Sequence, residues 1–150
     1  MPLRDVFFRT ALEEANIGLG EGGIPIGSVL VLDGIIASRG HNQRIQRQNP
    51  ILHAEMDCIA NAGRLSPAQY RRATLYSTLS PCDMCSGAIL LYKIPKVIVG
   101  ENRTFRGPED YLRARGVHLA VLDDAECVRL MRDFIQACPA LWNEDIGETP

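Results

Sequence analysis

Cys82 and Cys85 stand three residues apart in "SPCDMC", directly behind Pro81, and His53 and Glu55 stand two apart in "LHAE". By itself the cysteine pair fits a redox couple, half of a metal site, or two small core residues. His53 shifts the balance. One imidazole and two thiolates are three ligands for a tetrahedral zinc ion. A fourth position open to water marks a catalytic site, whereas a structural zinc is closed by a fourth protein ligand. Thiolate-rich tetrahedral coordination also suits zinc among the common metals. Positions i and i+3 of a helix share a face, so Cys82 and Cys85 can reach one ion. Glu55, two residues past His53, leaves the ligand's direction and can lie beside the ion as a general acid and base. The blander reading of Glu55 is a first-turn glutamate that complements a helix dipole.

Such a set needs two helix N-termini meeting at the end of a sheet, and the patterning supplies them. "LRDVFFRTALEEANIGLGEGG" reads as an amphipathic helix with Val6, Phe7, Leu12, Ala15 and Leu19 on its apolar face, stopped by Gly22 and Gly23. Two apolar runs around Asp33-Gly34 predict a β-hairpin. "QRIQRQNPI" reads as a polar loop, and "LHAEMDCIANAG" as a helix ending at Gly63. "ATLYSTL", "PKVIVGEN" and "GVHLAVLDD" are strands, separated or followed by helices in "CDMCSGAILLYKI" and "DDAECVRLMRDFIQAC", with a short helix beginning at Pro139. A hairpin followed by alternating helices and strands predicts an α/β fold. It has three α/β/α layers, with a central mixed five-stranded sheet and helices on both faces. No repeat or linker interrupts the pattern, so residues 1–150 read as a single domain.

Formal net charge is −2, which argues against a protein built mainly to grip nucleic acid. No apolar run approaches the ~20 residues of a membrane helix, and the acidic residues in "MPLRDVFFRTALEEA" argue against a signal peptide. A cytoplasmic protein is the expectation. Five cysteines cannot all pair within the chain, so thiols or metal ligands fit better than a disulfide framework.

The combination of His53-x-Glu55 with Pro81-Cys82-x-x-Cys85 is the signature of the zinc deaminases. Beyond it, "EGGIPIGSVL", "GHN", "TLYSTLSPCDMCSGAI", "IPKVIVGEN", "YLRARG" and "WNEDIGE" resemble the fungal-type cytosine deaminases of the cytidine/deoxycytidylate deaminase superfamily. The resemblance covers nearly the whole chain. The signature is shared across the superfamily, and the closing "WNEDIGE" and the "GEN" ahead of Phe105 are more specific. The resemblance implies a cytidine deaminase-like fold, one catalytic Zn2+ held by His53, Cys82 and Cys85, Glu55 as the proton carrier, and a homodimer. It further implies that Asn42, the backbone N–H of Ala54 and Asp145 hydrogen-bond the base. Ile26, Leu79, Phe105 and Trp142 would wall the pocket, and Ser80 would offer its carbonyl to the departing amine. The chain departs from the familiar pattern at Ala54, often glycine, and at Asn143, often aromatic.

The implied reaction is hydrolysis of a free nucleobase, cytosine to uracil plus ammonia, as in pyrimidine salvage. Creatinine, isocytosine, guanine and a tRNA adenosine stay open as alternative substrates, and a zinc-stabilised binding module is the non-enzymatic rival. Without the resemblance, Asn42 reads as an Asx-turn residue, Trp142 as packing and Asp145 as a solvated tail carboxylate. Cys58 reads as core. Cys127 and Cys138 belong to no metal motif, and His41 and His118 read as isolated, satisfied histidines.

Overall fold

The turn at Asp33 and Gly34, both at positive φ (52° and 77°), joins β1 (Gly27–Leu32) to β2 (Ile35–His41), as an Asp-Gly hairpin demands. The computed structural model describes residues 5–149. Leu3 and Arg4, which open the first helical pattern, lie outside the described residues, as does Pro150. Helix α1 (Val6–Gly20) precedes the hairpin. After it come α2 (Arg44–Arg47), α3 (Ala54–Asn61), α4 (Pro67–Tyr70), β3 (Ala73–Leu79), α5 (Asp83–Tyr92) and β4 (Lys96–Glu101). Then follow α6 (Glu109–Ala114), β5 (His118–Val121), α7 (Ala125–Ala137) and α8 (Pro139–Asp145). The five strands form one sheet in the order β2-β1-β3-β4-β5. Strand β1 runs antiparallel to β2 and β3, and β3, β4 and β5 run parallel.

Alternation along the central strands separates two cores, because successive side chains point to opposite faces. Leu30, Leu75, Val97 and Val99 pack with Cys58 and Ile59 of α3, Ile89 of α5 and Leu112 of α6. Val29, Val31, Tyr76 and Ile98 pack with Phe8, Ala11 and Leu12 of α1 and with Cys127 and Leu130 of α7. The expected three layers are therefore present. Among the described residues no helix is long and apolar enough to cross a membrane.

Helix α1 corrects the predicted face. Phe8, Ala11, Leu12, Ala15 and Gly18 are buried, whereas Val6 and Leu19 are exposed. Leu12 and Ala15 are thus buried as predicted, and small residues join them where the helix lies close on β1, since a Cβ on Gly27 would stand 1.9 Å from the Ala11 carbonyl oxygen. The predicted loop "QRIQRQNPI" contains the single turn α2, closed by Gln48 at φ 49°. Helices α4 and α6 carry no long apolar period. Helix α4 is set by a capping box between Ser66 and Gln69 with Pro67 at its first position.

Buried polar groups fix the ends of β2 and α3. The His41 ring lies between Glu14 (Nδ1 to Oε1, 2.9 Å) and Glu21 (Nε2 to Oε1, 2.8 Å), a satisfied histidine as expected. Burial opposes its charge, but the two carboxylates outweigh it and raise its pKa above the usual value. Asp57 of α3 accepts from the His41 backbone N–H at 3.1 Å and from the Gln43 amide at 3.0 Å. These bonds draw the helix that follows His53 onto the end of β2.

Candidate metal centre and active site

Strand register brings the site together. Gly27 pairs with His41, Ser28 with Ser77 and Leu79 with Glu101, so one end of the sheet gathers Ile26 just ahead of β1, Asn42 just past β2 and Leu79 at the end of β3. The Asn42 N–H donates to the Ile26 carbonyl at 3.0 Å. This edge lies at the carboxyl ends of the parallel strands, where open α/β sheets bind ligands. His53 is the N-cap of α3 and Cys82 the N-cap of α5, with Cys85 in the first turn of α5.

The two helix starts meet. Cys82 Sγ lies 3.3 Å and Cys85 Sγ 3.8 Å from His53 Nδ1, and all three donor atoms fall within 4.8 Å of one another. Cys85 is fully buried and His53 nearly so. A hydrogen bond from Cys85 lowers the Cys82 pKa to about 4 against the cost of burial, and His53 assists. The same bond, together with burial, raises Cys85 well above the thiol value. Burial opposes the charge of His53, yet bonds to Asp145 and Cys82 lift it to about 10. The chain thus already stabilises one thiolate where a metal would need two. One imidazole nitrogen and two sulfurs at this spacing suit a tetrahedral zinc ion and leave a position open.

On the other side of the ring, His53 Nε2 donates to Asp145 Oδ1 at 3.2 Å. A carboxylate behind a ligating histidine fixes its tautomer and ring orientation. The same oxygen accepts from Asn42 Nδ2 at 3.2 Å, and Asn42 Oδ1 accepts the Arg44 N–H at 3.0 Å. Asn42 therefore forms the Asx turn and also ties α8 to the end of β2. Glu55 is 4% exposed, and burial followed by the nearby Cys82 thiolate raises its pKa to about 7. A carboxyl poised there can both take and give a proton near neutrality.

A small cavity opens on this centre. His53, Glu55, Cys82 and Asp145 supply its polar wall; Ile26, Leu79, Ser80, Phe105, Trp142 and Ile146 complete it. The Phe105 and Trp142 rings meet edge to face at 5.9 Å. Asn42 and Ala54 stand just behind this lining. Ala54 is fully buried among Ile26, Leu79 and Trp142. As the first residue of α3 it has an N–H the helix cannot use. The sequence reading missed Ile146 and the bond between Asp145 and His53. Outside, a wider vestibule mixes Arg44 and Arg106 with Asp83, Glu144 and Glu148, so its rim carries both signs of charge. The ion pair of Arg44 with Glu144, at 3.3 Å, crosses from α2 to α8.

A mixed five-stranded sheet carrying a His-Cys-Cys centre beside a buried glutamate defines a zinc-binding deaminase domain. Residues 1–101 match the family model "cytidine and deoxycytidylate deaminase zinc-binding region", and the chain belongs to that family. It is 50% identical over 141 residues to a cytosine deaminase of Candida albicans, spanning 93% of this chain and 94% of that one. It is 45% identical over 141 residues to a tRNA-specific adenosine deaminase of Streptococcus pyogenes, covering 87% of this chain and 88% of that one. A structure from work on A-to-I editing by tRNA:A34 deaminases superposes with a TM-score of 0.70 at 29% identity, covering 85% of this chain and 99% of the other.

Proposed function

We propose that this chain is a zinc-dependent hydrolase that converts free cytosine to uracil and ammonia, with residues 1–150 acting as one catalytic domain. The observation that carries this reading is the convergence of the His53, Cys82 and Cys85 donor atoms beside the buried Glu55, inside a cavity walled by Phe105 and Trp142. The 50% identity to the Candida albicans cytosine deaminase supports cytosine as the substrate. The mixed-charge vestibule and net charge of −2 fit a small neutral base better than an RNA stem. We further propose a cytoplasmic homodimer serving pyrimidine salvage, on the strength of the resemblance alone.

His53, Cys82 and Cys85 would hold a zinc ion, which when bound would supply a water acidified toward a pKa of ~7. Glu55 takes a proton from that water and delivers it to ring N3, which makes C4 electrophilic. After the water oxygen adds at C4, Glu55 carries the second proton to the amino group, and ammonia leaves as the C–N bond breaks. Asp145, Asn42 and the Ala54 N–H orient the base. Phe105, Trp142, Ile26 and Leu79 exclude bulk water from it, and the Ser80 carbonyl faces the leaving amine.

Zinc uptake should depend steeply on pH. Without metal, His53 keeps its proton up to about pH 10 and Cys85 stays a thiol, whereas a bound metal needs both deprotonated. About two protons should leave per zinc bound, so affinity should rise about 100-fold from pH 6.5 to 7.5. Competition titrations with a chromophoric chelator at the two pH values check this; equal affinities would refute the proton inventory.

Rates over cytosine, cytidine, creatinine, isocytosine, guanine and a tRNA anticodon stem-loop separate the substrate readings. Cytosine should be turned over fastest and cytidine poorly. Activity confined to the stem-loop would replace the free-base reading with the RNA one.

A further inference from the structure

Glu109 is only 1% exposed, yet its side chain stands outside the cavity wall. Both its oxygens are engaged. Oε2 accepts from Ser80 Oγ at 2.6 Å, and Oε1 accepts from Asn102 Nδ2 at 3.1 Å and from Arg106 Nε at 3.4 Å. Ser80 Oγ in turn accepts the Gly107 N–H at 3.0 Å. The loop lies so close here that a Cβ on Gly107 would stand 1.7 Å from the Pro81 carbonyl oxygen. Burying a carboxylate is a weak way to stabilise a fold, since an apolar side chain of similar volume often does as well. Its value lies in geometry: one group with several fixed bonds pins the loop at Asn102 and, through Ser80, at Gly107.

Between those two points stands Phe105, which meets Trp142 over the cavity. A second buried carboxylate, Glu101, holds the same stretch by accepting from the Arg103 N–H at 2.7 Å and the Thr104 N–H at 3.0 Å. Ser80 lines the cavity and lies two residues ahead of Cys82.

We propose that Glu109 is a positioning residue for the substrate chamber. Acting through Ser80 and Asn102, it sets the 102–107 loop so that Phe105 stands against Trp142 and limits the chamber to a single base. The limit on substrate rests on the free-base reading above; the placement of Phe105 does not.

The test uses the zinc-loaded full chain with Glu109→Ala, Ser80→Ala and both together. Trp142 is the only tryptophan, so emission and its quenching by acrylamide report the environment of that residue, on which Phe105 packs. Both single variants should shift the emission to the red and quench more readily. The KM for cytosine should rise roughly tenfold, the scale of one buried hydrogen bond to a charged group, with kcat less affected and one zinc retained. The double variant should lose less than the two single losses added together, because the bond between Glu109 and Ser80 is removed in both. Glu109→Gln, which keeps an acceptor for Ser80, should recover much of the loss. Variants that melt earlier but keep the wild-type emission and KM would make Glu109 an ordinary core residue and overturn the proposal. Should Glu109→Ala fail to fold, Ser80→Ala removes a single oxygen and is read against the same outcomes. If no base is deaminated, Trp142 emission still decides the positioning role, so the two readings fail separately.

Discussion

Glu55→Gln should bind one zinc per chain and lose turnover by roughly 10²- to 10⁴-fold, the range spanned by positioned acid–base groups. The substitution keeps the volume and most of the hydrogen-bonding shape of a side chain that is 4% exposed. What it removes is a carboxylate whose pKa is raised to about 7 by burial and by the Cys82 thiolate. In the proposed mechanism that carboxylate moves two protons, one from water to N3 and one to the leaving amine, and an amide can move neither. Glu55 is not among the metal-donor group, so zinc content should hold. Burying an amide there also costs less than burying a charge, so the variant should melt no earlier than the parent. Zinc analysis, thermal melts and steady-state rates on the same preparation check all three parts. A near-normal rate would remove Glu55 from the role assigned to it.

Cys85→Ala should lose the metal itself. Cys85 is fully buried, 3.8 Å from His53 Nδ1, and supplies one of only two sulfurs in the cluster. With it gone, one imidazole and one thiolate remain, too few to hold zinc against water. Affinity should fall by more than ~100-fold, beyond the 10- to 100-fold that losing an outer-shell partner costs. Asp145→Asn leaves all three metal donors in place and weakens the bond behind His53 as well as the one from Asn42, so its zinc affinity should fall only within that smaller range. Dialysis against a chelator followed by metal analysis separates the two. Stoichiometric zinc in Cys85→Ala would sink the ligand assignment.

What was legible in the sequence was local. Asp33-Gly34 announced the hairpin, because that pair favours the positive φ values the turn needs. The strands announced themselves by β-branched runs between breakers. The donor residues were readable because each half of the set lies within one helical turn, and the fold only had to bring two helix starts together. Less local features were hidden. The buried face of α1 keeps the predicted Leu12 and Ala15 but adds Phe8, Ala11 and Gly18 in place of Val6 and Leu19, and the close approach of β1 at Ala11 favours a small residue there. Helices α2, α4 and α6 span four to six residues, too few for a periodic signal. Asp145 on His53 and Glu109 on Ser80 join distant parts of the chain, and no spacing in the sequence predicts such pairs. Asn42 forms the Asx turn its residue type suggests and a second bond that its sequence position does not announce. Its carbonyl oxygen closes the Asx turn while its amide reaches Asp145 beside the cavity.

The most direct measurement is the conversion of free cytosine by protein titrated from zero to one zinc per chain, following uracil by absorbance and ammonia by a coupled assay. The expected result is one ammonia per uracil, at a rate proportional to bound zinc, with cytidine turned over poorly. Fully loaded, folded protein that leaves cytosine and the other amino-heterocycles unchanged would contradict the proposed activity, and would leave the His53, Cys82 and Cys85 cluster as a structural zinc site.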